Sequence, residues 1–229
     1  MRLDRYLCET TELSRSQARS AIREGRVRVG GVPVTRPACR LEADAEVILD
    51  QCLLSPPRPR YFMLNKPLGV VCATRDPSQR TVLDLCDLPR QSRLHIAGRL
   101  DIDTSGLVLL TDDGQWSHRI TAPSSLCRKC YLVTLAEPLG DAQVSRLTAG
   151  LRLRGESKPT KPAMVERLTA AELRLTITEG RYHQVKRMFA ALGNRVVALH
   201  RESIGELSLD QSLEPGDYRP LRPPEIALF

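Results

Sequence analysis

The stretch AGRLDIDTSGLVLLTDDG, residues 97–114, places a turn containing Asp101 and Asp103 directly before an apolar run. That run, GLVLLT, is short and bounded by turn residues, so it predicts a buried β-strand. A carboxylate at such a turn projects into a cleft while the strand behind it fixes its backbone. We therefore expect functional side chains at this end of the strand.

Working outward, residues 61–229 contain strand-like runs that alternate irregularly with helical ones. The strand-like runs are YFMLN, GVVCAT, LHIAG, GLVLLT, CYLVTL, ELRLTIT and NRVVALH, and the helical runs are GQWSHRI, GDAQVSRLTAG and YHQVKRMFAAL. Several strands follow one another without an intervening helix, which favours an α+β fold with a mixed sheet over a doubly wound fold. The region is long enough for a complete catalytic domain.

Composition and charge restrict the class of protein. The 229 residues include 34 Lys and Arg against 27 Asp and Glu, a formal charge of +7, and 41% are hydrophobic, which excludes disorder of the whole chain. Each apolar run is far below the roughly 18 to 20 residues of a membrane span, and the first residues, MRLDRYLCET, are too charged for a signal peptide. The seven cysteines are an odd number in a chain that needs no disulfides, so we expect a cytoplasmic protein.

The positive charge is concentrated near the start, where residues 1–40 hold nine arginines and four acidic residues. Ser14 is expected to cap a helix over SRSQARSAIREG that ends at Gly25. The run RVRVGGVPV predicts two short strands, and EVILD predicts a third. The arginines predicted to share one face of the helix are Arg15, Arg19, Arg23 and Arg26. By charge alone this face is either solvated or a surface for a polyanion.

The chain therefore divides into three predicted parts. Residues 1–50 form a small basic domain, and residues 51–60, QCLLSPPRPR, form a proline-rich linker. Residues 61–229 form the larger α+β domain.

Three interpretations of residues 97–114 remain open at this point. The first is calcium binding, because Asp101, Asp103, Ser105, Gly106 and Asp112 fall at positions 1, 3, 5, 6 and 12 of an EF-hand loop, although the flanking segments resemble strands. The second is a turn whose aspartates only cap backbone amides. The third is a catalytic carboxylate preceded by Arg99.

Two other segments carry cations that bear on this choice. NKPLGVV, residues 65–71, places Lys66 between a strand and a turn, and EGRYHQVKRMFAALGN, residues 179–194, places Lys186 and Arg187 among apolar residues of a helix. A cation that starts at the edge of the core needs an anionic partner, because an unpaired buried charge is costly. Asp101 is the partner that we expect.

Four motifs in this order, NKPLGVV, GRLDIDTSGLVLLTDDG, KCYLVTL and EGRYHQVKRMFAALGN, follow the basic segment RLDRYL and SRSQARSAIREGRVRVGG. In this order they closely resemble the RsuA family of RNA pseudouridine synthases over essentially the whole chain. The first 50 residues resemble the αL RNA-binding motif of a small-subunit ribosomal protein. The resemblance implies a catalytic domain with a largely antiparallel mixed sheet flanked by helices.

The resemblance also implies roles for individual residues. Asp101 aligns with the essential aspartate of the family, which acts either as a nucleophile or as an acid/base group, and Lys186 aligns with its basic partner, with Arg187 as the alternative. Tyr131 aligns with a tyrosine that lies against the flipped base, and Arg99 with a side chain that fills the gap the base leaves. The residues expected to contact RNA are Arg15, Arg19, Arg23, Arg26, Lys66, Arg181 and Arg187.

The implied reaction converts one uridine of 16S rRNA to pseudouridine, at uridine 516 in the family's standard substrate. It requires no cofactor and no metal. We expect a monomer whose partner is 16S rRNA in a partly assembled small ribosomal subunit. Two alternatives remain: a sister enzyme that modifies 23S rRNA, and a non-catalytic rRNA-binding assembly factor.

Overall fold

A computed structural model describes residues 1–42, 44–88 and 90–229. The chain divides into two compact units, Met1–Pro59 and Arg60–Phe229. The first unit therefore extends beyond residue 50, where the sequence places the start of a linker. Within the described residues no helix is both long and apolar enough to cross a membrane.

The first unit combines two helices with a small antiparallel sheet of order β2-β1-β3-β4. Its elements are α1 (Leu3–Thr10), α2 (Arg15–Arg23), β1 (Val27–Val29), β2 (Val32–Pro33), β3 (Val47–Leu49) and β4 (Cys52–Leu54). The apolar faces of both helices pack with Val27 and Val47 in one core. Strand β4 lies inside the predicted linker, where it pairs with β3; Cys52 and Leu53 stay exposed, and Leu54 packs against the core of this unit.

Helix α2 begins as predicted, with a capping box in which the Ser14 side chain accepts a hydrogen bond from the Gln17 amide. The helix runs to Arg23 with Glu24 as its cap, and Gly25, at a φ of +74°, follows the cap and ends the helix as predicted. Arg26 therefore lies outside the helix, directly before β1, and the prediction that it shares the helical face is wrong. Its guanidinium instead binds Asp50 and Glu24.

The second unit is built on a mixed sheet of order β13-β5-β7-β11-β8-β10-β9, with β12 on β11 and β6 on β7. Its strands are β5 (Tyr61–Lys66), β6 (His95–Ile96), β7 (Ser105–Thr111), β8 (Lys129–Leu135), β9 (Met164–Arg167), β10 (Glu172–Ile177), β11 (Val196–Ile204), β12 (Leu207–Ser208) and β13 (Tyr218–Pro220). Its helices are α3 (Gly114–Thr121), α4 (Asp141–Ala149), α5 (Gln184–Ala190) and α6 (Pro223–Ile226), with short 3-10 turns at Leu83–Leu85 and Gln91–Arg93. The β7–β11 pair is parallel and the other described pairs are antiparallel, which confirms the α+β prediction.

Strand β7 is an interior strand of this sheet, between β5 and β11, and is buried on both faces. Val108 and Leu110 belong to one apolar cluster, while Leu107 and Leu109 belong to a second cluster on the other face. A strand enclosed in this way has a fixed backbone, so the turn that precedes it is held at its start. The GVVCAT segment was predicted as a strand but forms only an isolated bridge between Val71 and Thr81.

The contact between β7 and β11 requires a glycine. Gly106 pairs with Arg201 and has a φ of +105°, and a Cβ atom there would lie 2.4 Å from the Arg201 carbonyl oxygen. A side chain is therefore excluded both by the backbone conformation and by space. This close approach brings β11 against the turn at residues 98–104.

Candidate active site

A cleft of about 650 Å³ opens beside the start of β7. Its walls come from the 98–104 turn, the 121–123 segment, the 177–186 segment and residues of β8 and β11. The residues that line the cleft include the four to which the family resemblance assigns catalytic roles, namely Arg99, Asp101, Tyr131 and Lys186. The fold thus brings together residues that are up to 87 positions apart, from Arg99 to Lys186.

Asp101 and Lys186 form an ion pair in this cleft. The Lys186 Nζ lies 2.8 Å from the Asp101 Oδ2 and also donates to Asp103. The side chains of Asp101 and Lys186 are 28% and 24% exposed, so both are accessible yet partly desolvated. The Nε2 of His183 lies 3.5 Å from the other Asp101 oxygen. Asp101 is therefore held by cationic or donor groups on one side and open to the cleft on the other.

Lys186 and Asp103 shift each other's pKa values. Burial lowers the pKa of Lys186, but the hydrogen bonds and charges of Asp101 and Asp103 outweigh burial, and the net pKa lies above the ordinary value of 10.5. The hydrogen bond from Lys186 lowers the pKa of Asp103 below 3.8. Lys186 is consequently a permanent cation at neutral pH.

Lys66 does not occupy the RNA-facing position that the sequence predicts. Its side chain is completely buried, and its Nζ donates to the backbone carbonyls of Pro67 and Thr104 at 2.9 and 2.8 Å. Burial lowers the pKa of Lys66 below its ordinary value. The structure therefore contradicts a direct phosphate contact, since the ammonium group holds the 101–104 turn from inside the protein.

Arg201 is a second buried cation behind the same turn, and sequence analysis missed it. It is only 1% exposed, and its guanidinium donates to the carbonyl of Leu107 at 2.8 Å and to that of Gly98 at 2.8 Å, with a longer contact to Arg99. Gly98 and Arg99 lie just before Asp101, and Leu107 lies six positions after it, in β7. Arg201 thus connects the 98–104 turn and the first half of β7 to β11.

Tyr131 is buried in β8 and lies in a row across the sheet with Arg201 and Gly106. Tyr131 pairs with Arg201, which pairs in turn with Gly106, so the three residues occupy neighbouring positions on adjacent strands. Both Tyr131 and Arg201 line the cleft. Arg99 is exposed at the cleft, while its backbone is held by Arg201. An aromatic residue and an exposed cation therefore line the same cleft as Asp101.

Arg181 and Arg187, both predicted to contact RNA, are largely used within the protein. Arg181 donates to the carbonyls of Lys158 and Pro159, and Arg187 donates to the Arg154 carbonyl and to Glu156. Arg187 is therefore not the partner of Asp101, a position that Lys186 takes. The two guanidinium groups hold the 154–159 loop against the start of α5.

The predicted RNA-binding arginines of the first unit differ in their surroundings. Arg19 lies 3.3 Å from the buried carboxylate of Asp4, which also binds Arg2. Arg15 and Arg23 are exposed on α2, and no ion pair involves either of them among residues 1–42, 44–88 and 90–229. These two side chains keep their full charge for an external anion.

The calcium interpretation is contradicted by the positions of its ligands. Asp101 precedes β7 and Asp112 follows it, and a strand of seven residues spans roughly 20 Å. Asp112 binds Arg60 at 2.8 Å instead, and Ser105 Oγ lies 2.9 Å from His200 Nδ1. The EF-hand spacing is therefore coincidental, because the chain between these residues is extended.

Tyr182 and His183 are two residues of the cleft that sequence analysis did not assign to the catalytic site; it interprets His183 as structural or RNA-contacting and gives Tyr182 no role. Their rings stack with centroids 3.8 Å apart, and both line the cleft. The sequence does contain a signal for them, because they stand four and three positions before Lys186 in the motif EGRYHQVKRM and so enter the cleft with it.

Comparisons with known proteins agree with this geometry. Residues 60–191 match the family of RNA pseudouridylate synthases, and residues 1–47 match the S4 domain. Ribosomal small subunit pseudouridine synthase A of Salmonella typhimurium and of Escherichia coli is 54% identical to this chain, with 99% of each chain covered. The Haemophilus influenzae protein of that name is 52% identical over 99% of this chain and 98% of its own.

The chain belongs to the RsuA family of RNA pseudouridine synthases. A crystal structure of a pseudouridylate synthase covers all of both chains with a TM-score of 0.73 and 51% identity. The protein is accordingly an RNA pseudouridine synthase of α+β fold, with an S4 domain before its catalytic domain. The resemblance drawn from the four motifs is confirmed.

Proposed function

We propose that this synthase converts a single uridine of 16S rRNA to pseudouridine, at the position of uridine 516 in the family's standard substrate. The observation that carries the proposal is the contact between Asp101 and Lys186 in a cleft that Tyr131 and Arg99 also line. Several relatives of closely similar length are named as ribosomal small subunit enzymes, which supports the choice of 16S over 23S rRNA. We further propose that it acts as a cytoplasmic monomer on a partly assembled small subunit.

The reaction is a rearrangement within one nucleotide. The bond between N1 of uracil and C1′ of the ribose breaks, the uracil turns, and a new bond forms between C5 and C1′. C5 gives up its proton and N1 ends with one, so the reaction needs neither oxidant nor reductant. Because the atoms involved are hidden in a stacked strand, the uridine must first leave the stack and enter the cleft.

Asp101 is the group that acts at the sugar or the base. It either attacks the nucleotide covalently or moves a proton during bond cleavage. In both routes Lys186 fixes the rotamer of Asp101 and balances its charge, since its ammonium group is 2.8 Å from one carboxylate oxygen. The second oxygen of Asp101 lies towards His183 and the open cleft.

Tyr131 supplies the surface for the flipped uracil, because its ring lines the cleft from a buried strand and keeps one orientation. Arg99 is exposed beside Asp101, and its planar guanidinium is suited to fill the gap that the base leaves in the stack. The backbone of both residues is fixed by the row of paired strands and by Arg201. The site is therefore preorganised for a base that has already left its helix.

Arg15 and Arg23 of the first unit are proposed to bind RNA phosphates. Such contacts supply affinity that falls steeply with salt, whereas the base is identified by the cleft. We expect a plot of log affinity against log salt concentration to have a steep negative slope. A flat plot would contradict this part of the proposal.

The function is tested by mapping pseudouridine with carbodiimide labelling and primer extension in 16S and 23S rRNA. A deletion strain is compared with the same strain complemented by the wild type or by Asp101→Asn. One 16S position that disappears in the deletion, returns with the wild type and stays absent with the variant would support both the substrate and the role of Asp101. Loss of a 23S position would move the enzyme to the sister branch, and no change in either RNA would favour an assembly factor.

A further inference from the structure

The side chain of Tyr182 is unusually exposed for an aromatic residue. It is 75% exposed, more than any other large hydrophobic side chain that the structure describes as exposed. One face of its ring is covered by the His183 ring at 3.8 Å and an angle of 19°, which leaves the opposite face in water. An aromatic ring in this arrangement contributes little to the core and costs solvation of its apolar surface.

The ring is nevertheless held in a defined place. The Tyr182 carbonyl accepts a hydrogen bond from Arg187 at 3.1 Å, and Arg181 is fixed by the carbonyls of the 154–159 loop. His183 has a φ of +47°, a left-handed conformation that turns the chain sharply at this point. An exposed ring whose backbone is fixed loses little conformational freedom when it binds a ligand.

The stacked pair lies next to the reacting carboxylate. The Nε2 of His183 is 3.5 Å from Asp101, and the Tyr182 ring stacks on the His183 ring. Tyr131 is the buried aromatic residue of the cleft. Tyr182 also lines the cleft but is exposed, so its ring lies at the rim. The rim also carries the exposed cation Arg99, which makes the surroundings suitable for a nucleic acid strand.

We propose that the outer face of Tyr182 is a stacking platform for the unpaired nucleobase next to the target uridine. This inference rests on the proposed function and adds a second base to what the site recognises. Every base has a flat face, so the platform selects an unpaired neighbour and not a particular sequence. The enzyme would then favour a uridine in an opened segment over one inside a regular helix.

The test uses 2-aminopurine, whose fluorescence falls when it stacks on an aromatic ring. It is placed on either side of the uridine in an RNA fragment in which the wild type forms pseudouridine, whether that fragment comes from 16S or 23S rRNA. The proteins are the wild type, Tyr182→Leu, Tyr182→Phe and, as a control outside the cleft, Met164→Ala, which removes another exposed apolar side chain. Because Tyr182 is exposed, Tyr182→Leu should have the melting temperature of the wild type.

We expect the label at one flanking position to be quenched by the wild type, Tyr182→Phe and Met164→Ala, and not by Tyr182→Leu. The Kd of Tyr182→Leu should rise roughly 5- to 150-fold, the range that base–aromatic stacking covers, and KM should rise with it while kcat changes less than about threefold. Equal quenching and affinity for Tyr182→Leu and the wild type would overturn the platform, as would a Tyr182→Phe variant as weak as Tyr182→Leu. If the wild-type protein modifies neither rRNA, the proposed function itself is overturned. That result is independent of anything measured with the Tyr182 variants.

Discussion

The two walls of the cleft are stabilised by cations in opposite ways. The turn at residues 98–104 is held from behind by Lys66 and Arg201, both essentially buried and both bound to backbone carbonyls. The opposite wall, residues 177–186, is held by Arg181 and by Arg187 directly after it, which remain partly exposed and bind carboxylates and the carbonyls of a surface loop. One wall is anchored in the core and the other at the surface.

We propose that this difference separates the part of the cleft that carries out the chemistry from the part that recognises RNA. A carboxylate that acts on a sugar must be held within a fraction of an ångström, and buried cations on backbone oxygens give that precision. A surface that receives an RNA strand needs exposed rings and charges, which solvent-accessible ion pairs position at a lower cost in stability. We therefore expect substitutions in the first wall to lower the free energy of unfolding or kcat, and those in the second to weaken RNA binding.

The largest expected effect is on catalysis at the first wall. Asp101→Asn keeps the size of the side chain but removes the charge and the basic oxygen, and pseudouridine formation should fall by roughly 10⁴-fold or more. The measurement is single-turnover release of tritium from RNA labelled at C5 of uridine. RNA affinity should stay within a few fold of the wild type, and a variant that retains a tenth of the rate would remove Asp101 from the chemistry.

The next effect tests the packing of the turn against β11. Gly106→Ala would place a Cβ atom 2.4 Å from the Arg201 carbonyl at a φ of +105°, and the free energy of unfolding should fall by about 4 kcal/mol. Gly69→Ala is the matched control, because Gly69 also has a positive φ of +77° but nothing within 4 Å of its Cβ position. Its cost should be about 1 kcal/mol. Urea unfolding followed by circular dichroism measures both, and equal costs would mean that the close contact contributes nothing.

Arg201→Met tests the buried cation itself. The substitution leaves the carbonyls of Gly98, Arg99 and Leu107 without their donor, at about 1 kcal/mol each, so the free energy of unfolding should fall by about 3 kcal/mol. Arg174→Met on β10 is the comparison, because Arg174 is 41% exposed and binds only carboxylates. Its cost should stay below about 1 kcal/mol. If the two variants are equally stable, the contrast between buried and surface anchoring is wrong.

Much of this fold follows from local pattern. Strands β5, β7, β8, β10 and β11 and helices α3, α4 and α5 correspond to runs that periodicity and turn residues predict. The contact of Asp101 with Lys186 follows from the cost of leaving a cation unpaired beside apolar residues. Strands β4, β9 and β13 are only three or four residues long, too short to show a clear alternation, so no local run predicts them, and β13 in addition pairs with β5 far away along the chain.

The buried cations are the part that local pattern does not predict. Lys66 and Arg201 bind backbone carbonyls, and any residue type supplies a carbonyl, so the sequence contains no trace of the partner. The Arg201 guanidinium reaches Gly98, 103 positions away. The same reason explains why the sequence suggests RNA contacts for Arg181 and Arg187. Both guanidinium groups bind backbone carbonyls of the 154–159 loop, and the sequence does not show where that loop lies.

The smallest expected effect concerns Asp103, which shares Lys186 with Asp101 but is 67% exposed. Since the pKa of Asp103 is lowered by Lys186, its contribution to stability is complete above its unfolded value of 3.8 and is lost as the pH falls through the lower folded value. The pKa of Lys186 is raised, so its own contribution persists up to its unfolded value of 10.5 and disappears only as the pH rises through the folded value.

Asp103→Asn should therefore lower the free energy of unfolding by less than about 1 kcal/mol between roughly pH 5 and 9. The loss should be smaller still in high salt and at the acid end of this range. Urea unfolding across this pH range measures the cost, and kcat of Asp103→Asn should remain within a few fold of the wild type, because Lys186 keeps its contact with Asp101. A loss of activity as large as that of Asp101→Asn would show that the two carboxylates act as one unit.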